Sequence, residues 1–278
     1  MPQRHIPVAR ISTVAALAVG AYLLVHGQGA PHWRAVAPGA EFATLRGDPF
    51  CRGGSAEIAV LRLDPQRTRL RVRHYSLEPG RQPLNIVEWQ RHTDALAVFN
   101  AGQYYPDNSY MGLLVCSGRT VSPEMHTRFM AALVASPESG KRGARVLDLS
   151  HDRLDPRAPG WREVAQSFML FGRDGEVRVR KSDRIANRTL VAEDRKGALL
   201  VITTEGAYTL WDLAQWLKRS PLEISHAMVM DGGHEAELCV KTPRFLYGSF
   251  GHWDGTEHVA DVSGALVPLP AVVIVESE

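Results

Sequence analysis

Two apolar segments of this sequence each end in a polar side chain that small residues follow. Residues 95–99 read ALAVF and run into Asn100, followed by Ala-Gly; residues 227–230 read AMVM and run into Asp231, followed by Gly-Gly. Glycine permits tight turns and close approach of the backbone to a ligand, and functional side chains often lie on loops that a rigid sheet positions. A carboxamide and a carboxylate could therefore meet in one cleft, although Asn and Asp are also ordinary turn formers.

A third candidate, Arg188, lies in the triplet Asn187-Arg188-Thr189, between two strand-like segments. A guanidinium can hold a phosphate or a carboxylate through two parallel hydrogen bonds. An arginine in solvent or in a surface salt bridge is the ordinary alternative. A phosphate-bearing substrate would need one such well-placed arginine rather than a basic surface.

Alternating and wholly apolar segments predict the strands that must position these residues. Residues 57–63 (EIAVLRL) and 69–75 (RLRVRHY) alternate in polarity, which is typical of strands with one solvated face. Two hairpins are predicted, 167–171 with 176–180 and 189–193 with 198–203. Further strands are predicted at 95–99, 112–116, 129–135, 227–230 and 271–275.

Residues 209–219 give the clearest helix signal, with Thr209 as the N-cap, apolar residues at helical spacing and Pro221 just beyond. Residues 86–92 predict a short amphipathic turn. Residues 136–160, rich in Pro, Gly and charge, predict a surface excursion. Without a repeat or a linker, the simplest fold is α+β: a single domain over residues 31–278, with a mixed, largely antiparallel sheet and few helices.

Composition excludes several classes of protein. With 32 Lys and Arg against 30 Asp and Glu, the 278-residue chain lacks the charge of a dedicated nucleic-acid binder. The three cysteines are too few for a disulfide scaffold, fit no zinc motif and allow at most one internal disulfide. The absence of a Gly-x-Ser-x-Gly elbow, a P-loop and a dinucleotide fingerprint disfavours serine hydrolases and nucleotide-binding enzymes.

The N-terminus indicates export. A basic segment, residues 1–10, precedes an uncharged apolar run, residues 11–25. This order is typical of a secretory signal, and the run is shorter than a comfortable transmembrane helix. Residues 1–30 are therefore interpreted as a signal peptide or a retained membrane anchor, and the domain is expected to be periplasmic or secreted.

Several motifs in order resemble the phosphodiester glycosidase family. They are FNAGQYYPDNSYMGLLVCSG (99–118), the Asn-Arg-Thr triplet, a Thr-Leu-x-x-Leu-Ala helix start (209–214), the apolar strand ending in Asp-Gly-Gly (228–233) and the C-terminal VPLPAVVIV. The family pattern continues Asp-Gly-Gly-Gly-Ser, whereas this chain reads Asp-Gly-Gly-His-Glu, and Ala101 stands where Gly is more usual. The resemblance implies cleavage of a glycosyl phosphodiester at the sugar, with a phosphate monoester leaving.

Roles for individual residues follow from this resemblance. Asp231 would be the base, the nucleophile or the stabiliser of an oxocarbenium ion, and Arg188 would offset the phosphate charge. Glu205 and Glu235 are candidate partner acids, and His234 is a candidate for proton transfer. The implied substrate-binding residues are Asn100, Gly102, Tyr104, Tyr105, Arg188, Thr189, Gly232 and Gly233.

No cofactor or metal is assigned, although Asp231, Glu235 and Asp107 could offer oxygen ligands to a hard cation. The implied partner is a glycoconjugate or a sugar phosphate, with membrane contact only through the N-terminal segment. Two other hypotheses stay open: a non-catalytic glycan- or envelope-binding protein on the same fold, and a structural envelope protein with a flat surface. An enzyme should bring Asn100, Arg188 and Asp231 to one concave site with a second carboxylate nearby.

Overall fold

Two antiparallel sheets dominate the computed structural model, which describes residues 29–255, 257–258 and 266–277. The N-terminal segment interpreted as a signal or anchor lies almost wholly outside the described residues. Within the described ranges, no helix is both long enough and apolar enough to cross a membrane.

The helices are few and the strands are many, as expected for the predicted α+β fold. Among the described residues, the helices are α1 (Ile86–Thr93) and α2 (Leu210–Arg219), with 3-10 turns at Tyr75–Leu77 and Gly233–Glu235. The strands are β1 (Arg34–Ala37), β2 (Ala40–Arg46), β3 (Glu57–Leu63), β4 (Thr68–His74), β5 (Ala97–Asn100), β6 (Leu114–Cys116), β7 (Arg119–Ser122), β8 (Ala131–Pro137), β9 (Ala144–Asp148), β10 (Trp161–Phe171), β11 (Arg188–Asp194), β12 (Leu199–Thr204), β13 (Ile224–Gly232), β14 (Leu238–Thr242), β15 (Phe245–Ser249), β16 (Trp253–Asp254), β17 (Glu257–His258) and β18 (Ala271–Ser277).

The strands form two principal sheets rather than one. The first has the order β1-β2-β3-β12-β11-β13-β10-β6-β7, and β8 joins it through β10 and carries β9. The second has the order β15-β14-β5-β18-β4, and β16 pairs with β17 separately. The strand pairings in the described ranges are all antiparallel, so the expected mixture of parallel and antiparallel strands is not found there.

The two sheets pack face to face, and each outer face carries a helix. Val201 of the first sheet and Phe99 of the second belong to one buried cluster between the sheets. On the outer faces, Leu213 of α2 packs against the first sheet and Trp89 of α1 against the second. Because both faces of β5 are covered, its first three residues, 97–99, are all apolar instead of alternating in polarity.

The helix signals are confirmed at their ends. The Thr209 hydroxyl accepts a hydrogen bond from the Asp212 N–H at 3.0 Å, so it caps α2 as predicted. The short turn expected at 86–92 is a full helix, because Asn85 and Glu88 form a reciprocal capping box.

Two local predictions are wrong. Residues 176–180 form no strand, and only Val177 makes an isolated bridge, to Phe171. Only the start of the hairpin forms: the Arg178 N–H donates to the Leu170 carbonyl at 2.9 Å, and the chain then packs Val177 and Val179 against the apolar cluster around α2 instead of extending the ladder. The predicted surface excursion contains the strand β9, which pairs with β8 and buries Val146.

All three cysteine thiols are free: Cys116 and Cys239 are buried, and Cys51 is half-buried. The disulfide that the sequence left open is therefore not formed in this structure.

The Gln166 side chain joins β10 to the loops around it. Its Oε1 accepts hydrogen bonds from the Leu113 N–H at 3.0 Å and the His126 N–H at 2.9 Å. Its Nε2 donates to the Phe129 carbonyl at 2.8 Å and the His126 carbonyl at 3.1 Å. Because the residue is fully buried, these backbone groups have no water to replace the amide.

We expect Gln166→Leu to lower the free energy of unfolding by about 2–4 kcal/mol, since it leaves several buried backbone groups unsatisfied. Urea unfolding followed by circular dichroism would measure this. Gln82→Leu, at an exposed loop position, is the matched control and should change stability by less than about 0.5 kcal/mol. Equal losses in the two variants would contradict the role given to Gln166.

Candidate functional site

Arg188 and Asp231 lie side by side at one end of the first sheet. β11 begins at Arg188 and β13 ends at Gly232, and these two residues are direct cross-strand partners. A Cβ atom at position 232 would lie 2.6 Å from Arg188 Nη1, so only glycine leaves room for the guanidinium. The third strand end, Asn100, belongs to the second sheet.

Asp231 is held by hydrogen bonds in a desolvated environment. Its Oδ1 accepts from the Gly232 N–H at 2.8 Å, and the Gln103 side chain also bonds to the carboxylate. Burial, with a contribution from the Glu235 charge, raises the pKa of Asp231 to about 7. The Gly232 N–H, Arg188 and Gln103 favour the charged form and limit the rise.

Arg188 is a buried cation with weak internal partners. Its Nε donates to the Tyr208 carbonyl at 3.4 Å and its Nη2 to the Arg184 carbonyl at 3.5 Å. Burial and the neighbouring charge of Arg184 lower the pKa of Arg188 to about 10, against the effects of Asp231 and Asp254. Since no described carboxylate forms a salt bridge with it, the guanidinium is available to an anionic ligand.

Two further carboxyl groups accompany Asp231, and the three together are called the acidic site: Asp231, Glu235 and Glu237. Glu237 is only 2% exposed, and its Oε2 has no hydrogen-bond partner. Burial and the charge of Glu235 raise the pKa of Glu237 to about 8. Burial also raises the pKa of Glu235, which the neighbouring His234 and Arg184 oppose.

Asn100 connects the second sheet to the acidic site. Its Oδ1 accepts from the Glu237 N–H at 3.3 Å. Its Nδ2 is buried and has no partner, so a donor and an acceptor, Asn100 Nδ2 and Glu237 Oε2, are both unpaired there. Unpaired buried polar atoms are uncommon in folded proteins, and these two could meet the hydroxyl groups of a ligand.

A short arm, residues 102–111, covers the acidic site. It leaves β5 through Gly102, whose φ of 140° lies outside the range that other residues readily adopt. Tyr104 bridges to Tyr110 across the arm, and the Tyr110 hydroxyl lies 2.9 Å from both the Ala101 and the Gln166 carbonyl oxygens, either of which can accept its one hydrogen. Burial, followed by the charges of the three acidic-site carboxylates, raises the pKa of Tyr104, which places its phenol among them.

The other predicted site residues have different surroundings. Glu205 is half-buried and accepts a hydrogen bond from the Tyr247 hydroxyl, rather than from a residue of the acidic site. Tyr105 is 46% exposed. Thr189 is buried with its hydroxyl unpaired. Gly233, with φ of 75°, donates its N–H to the Asn187 carbonyl at 3.0 Å.

The three carboxylates considered from the sequence as ligands of a hard cation do not form a metal site in the described part of the chain. Asp107 is fully exposed and accepts from the Ser109 N–H and hydroxyl. Within the described ranges, no three His, Cys, Asp or Glu side chains converge as metal ligands do.

Three residues that shape the site were not predicted from the sequence: Gln103, Glu237 and Asn187. Asn187 was noted only as the neighbour of Arg188, not as a residue that holds the surrounding loops in place. Asn187 Oδ1 accepts from the His252 and Trp253 N–H groups at 2.8 and 2.7 Å, and its Nδ2 donates to the Thr204 carbonyl at 2.6 Å. Asn187 therefore fixes the loop before β16 against the start of β11. A signal was present for Glu237 in the acidic run Glu-Ala-Glu before β14.

Comparisons with known proteins agree with the resemblance seen in the sequence. The profile of the phosphodiester glycosidase family matches residues 93–275. The catalytic domain of zebrafish N-acetylglucosamine-1-phosphodiester alpha-N-acetylglucosaminidase, auto-inhibited by its pro-peptide, superposes with a TM-score of 0.62 at 15% identity, covering 90% of this chain and 88% of that one. No curated protein matches the sequence.

Two further solved structures share the fold. A hypothetical protein from Synechocystis gives a TM-score of 0.59 at 12% identity, over 86% of this chain and 62% of its own. A putative exported protein from Burkholderia pseudomallei K96243 gives 0.50 at 10% identity, over 82% and 76%. At these identities the structural likeness concerns the fold alone.

The family match extends over most of the chain and includes Asn100, Arg188 and the whole acidic site. It therefore covers the strand ends from both sheets. This chain belongs to the phosphodiester glycosidase family, a family of hydrolytic enzymes.

Proposed function

We propose that the protein hydrolyses a glycosyl phosphodiester at the bond between the anomeric carbon and the phosphate oxygen. The observation that carries this proposal is the pair of Arg188 and Asp231: a buried cation that forms no salt bridge with a described residue, and at the same sheet end a carboxylate with a raised pKa. Such a pair suits a substrate that brings its own negative charge to the arginine and an electrophilic carbon to the carboxylate.

In this mechanism Asp231 acts as a general base. It takes a proton from water as the water oxygen bonds to the anomeric carbon, and the electrons of the broken C–O bond leave with the phosphate monoester. A pKa near 7 suits a base that works near neutral pH. Arg188 offsets the charge of the departing phosphate, so strong acid assistance is less necessary.

Glu237 is proposed as the protonated partner of Asp231. Its raised pKa keeps a proton on the carboxyl group at neutral pH, where it can donate to the sugar or to the leaving oxygen. Asn100 Nδ2 supplies a second donor, and the aromatic ring of Tyr104 a face for the sugar. Glu205, Glu235 and His234 stay candidates for assisting proton transfer, and Thr189 and the Gly232 and Gly233 backbone for binding.

The substrate class is narrowed by analogy. The zebrafish relative is named for N-acetylglucosamine-1-phosphodiesters, so we propose an N-acetylglucosaminyl phosphodiester as the first substrate to test. The basic and apolar N-terminus, together with the exported relative from Burkholderia, supports action outside the cytoplasm on an envelope glycoconjugate. Membrane contact is proposed only through residues 1–30, as a signal or an anchor preceding the domain.

We expect Asp231→Asn to lower kcat on N-acetylglucosamine-1-phosphomethyl ester by about 10²–10⁴-fold, because the amide cannot accept the proton from water. Release of free N-acetylglucosamine would measure this. Asp155→Asn, an exposed Asp far along the chain from the site, is the control and should keep the activity. Undiminished turnover in the Asp231 variant would eliminate its proposed role, and binding without turnover in the unaltered protein would favour the non-catalytic hypothesis.

We expect kcat/KM to have a narrow pH maximum. It should rise as Asp231 loses its proton near pH 7 and fall as Glu237 loses its proton near pH 8. Because the two carboxyl groups interact, the pKa values read from the two limbs of the profile belong to the pair. Glu237→Gln should remove the alkaline limb and keep the acidic one. Initial rates from pH 5 to 10 would show this, and an alkaline limb that persists in the variant would rule out Glu237 as its source.

We expect the same substitution to change how stability depends on pH. Between the usual Glu pKa of 4.5 and about 8, the folded protein keeps a proton on Glu237 that the unfolded chain releases, so the free energy of unfolding falls as pH rises. Glu237→Gln should remove this fall and become the more stable protein at pH 9 by several kcal/mol, since a pKa change of 1 corresponds to about 1.4 kcal/mol.

Urea unfolding at pH 5, 7 and 9 would measure the difference, with Glu138→Gln, at an exposed position, as the control that should show no such trend. A stability difference that is constant across these pH values would show that burial does not alter the titration of Glu237.

A further inference from the structure

A cleft that is well separated from the acidic site lies beside the outermost strand of the second sheet. It has a volume of about 320 Å³ and lies between β4, the β6–β7 turn, the β8–β9 turn and the start of β10. On β18, the neighbour of Arg69 is Glu276 and the neighbour of Asn100 is Val272. Four residues of strand, or about 13 Å, therefore separate these two levels of the sheet.

Cationic side chains concentrate in this cleft. The chain as a whole is nearly balanced, with 32 basic and 30 acidic residues. The cleft, in contrast, is lined by five basic residues and one acidic residue, which are Arg69, Arg71, Lys141, Arg142, Arg162 and Glu163. A bound anion would lower the electrostatic repulsion among these positive charges.

Within the described ranges, the carboxylates near the cleft leave two of its cations without an ion pair. Glu163 is buried, and its Oε2 accepts from the Val72 and Ser117 N–H groups at 3.0 Å. Burial raises the pKa of Glu163, and these two N–H groups oppose the rise. Glu276 pairs with Arg71 at 3.0 Å, while Arg69 and Lys141 form no ion pair with any residue in the described ranges.

The cleft walls are set by turns in restricted conformations. Ser117 and Ser136 line the cleft with φ of 51° and 54°, in the left-handed region that non-glycine residues rarely adopt. Arg162 donates from Nη2 to the Ser117 carbonyl at 3.1 Å, which ties the start of β10 to the first of these turns. Three separate chain segments therefore present cations to the same space.

We propose that this cleft binds one phosphate group of a linear phosphate-bearing polymer, independently of the acidic site. A tetrahedral phosphate offers oxygens in several directions and so suits cations on three sides, whereas a carboxylate offers two oxygens in one plane. The exposed heads of Arg69 and Lys141 are the anchors, and because both are exposed the rest of the polymer can continue into solvent.

The test uses linear inorganic polyphosphate as the probe at about 150 mM salt, where distant surface charges are screened. The double substitution Arg69→Ala with Lys141→Ala should raise the Kd at least about tenfold, or about 1.4 kcal/mol. The control is Arg153→Ala with Arg157→Ala, which removes the same charge from exposed positions elsewhere and should change the Kd less than about twofold.

Equal weakening of polyphosphate binding in the two double variants would overturn the proposal, because it would show that binding depends only on the net charge of the protein. Failure of the unaltered protein to bind polyphosphate would overturn it too, leaving the basic residues as protection of the sheet edge against aggregation. Equal affinity for dextran sulfate would overturn the assignment to phosphate. Hydrolysis of the small glycosyl phosphodiester should be unchanged in both double variants, so failure of the proposed activity is recorded separately from failure of this cleft.

Discussion

The close approach of the Arg188 guanidinium to the Gly232 backbone is the constraint on which the site depends. Because position 232 has no side chain, the guanidinium fits against the strand and is buried beside Asp231. Burial then acts on both partners in opposite directions, lowering the pKa of the arginine and raising that of the aspartate. A Cβ atom at position 232 would lie 2.6 Å from Arg188 Nη1, so a larger residue there would force the guanidinium to move.

The rest of the fold maintains this approach. Asn187 fixes the chain just before Arg188, and the Thr204 hydroxyl accepts the Arg188 N–H at 3.0 Å, so β12 holds the start of β11 in place. The second sheet contributes through Asn100, whose side-chain oxygen Oδ1 accepts a hydrogen bond from the Glu237 N–H. The acidic site is thus built where the ends of two packed sheets meet, and neither sheet contains it alone.

The sequence predicted well those parts that local chemistry determines. The cap at Thr209, the paired strands β11 and β12 and the position of Asp231 after an apolar strand follow from residue type and spacing. Pairing between distant strands does not. Residues 176–180 have strand composition but pair with β10 only at Val177, and Glu237 enters the site only because β14 pairs with β5. Such facts depend on sheet order, which spacing along the chain does not encode.

His234 and Glu235 stand where the family pattern resembled by this sequence reads Gly-Ser, and they add a charged group to the acidic site. Burial is the main cause of the raised pKa of Asp231 and of Glu237, and the charge of Glu235 adds to it, because like charges in a buried space disfavour one another. His234 and Arg184 partly offset that charge. Asp231 at the strand end, the Gly232 contact and the buried Arg188 are all present in this chain, so these two residues act on the protonation of the acidic site and leave the strands that position it in place.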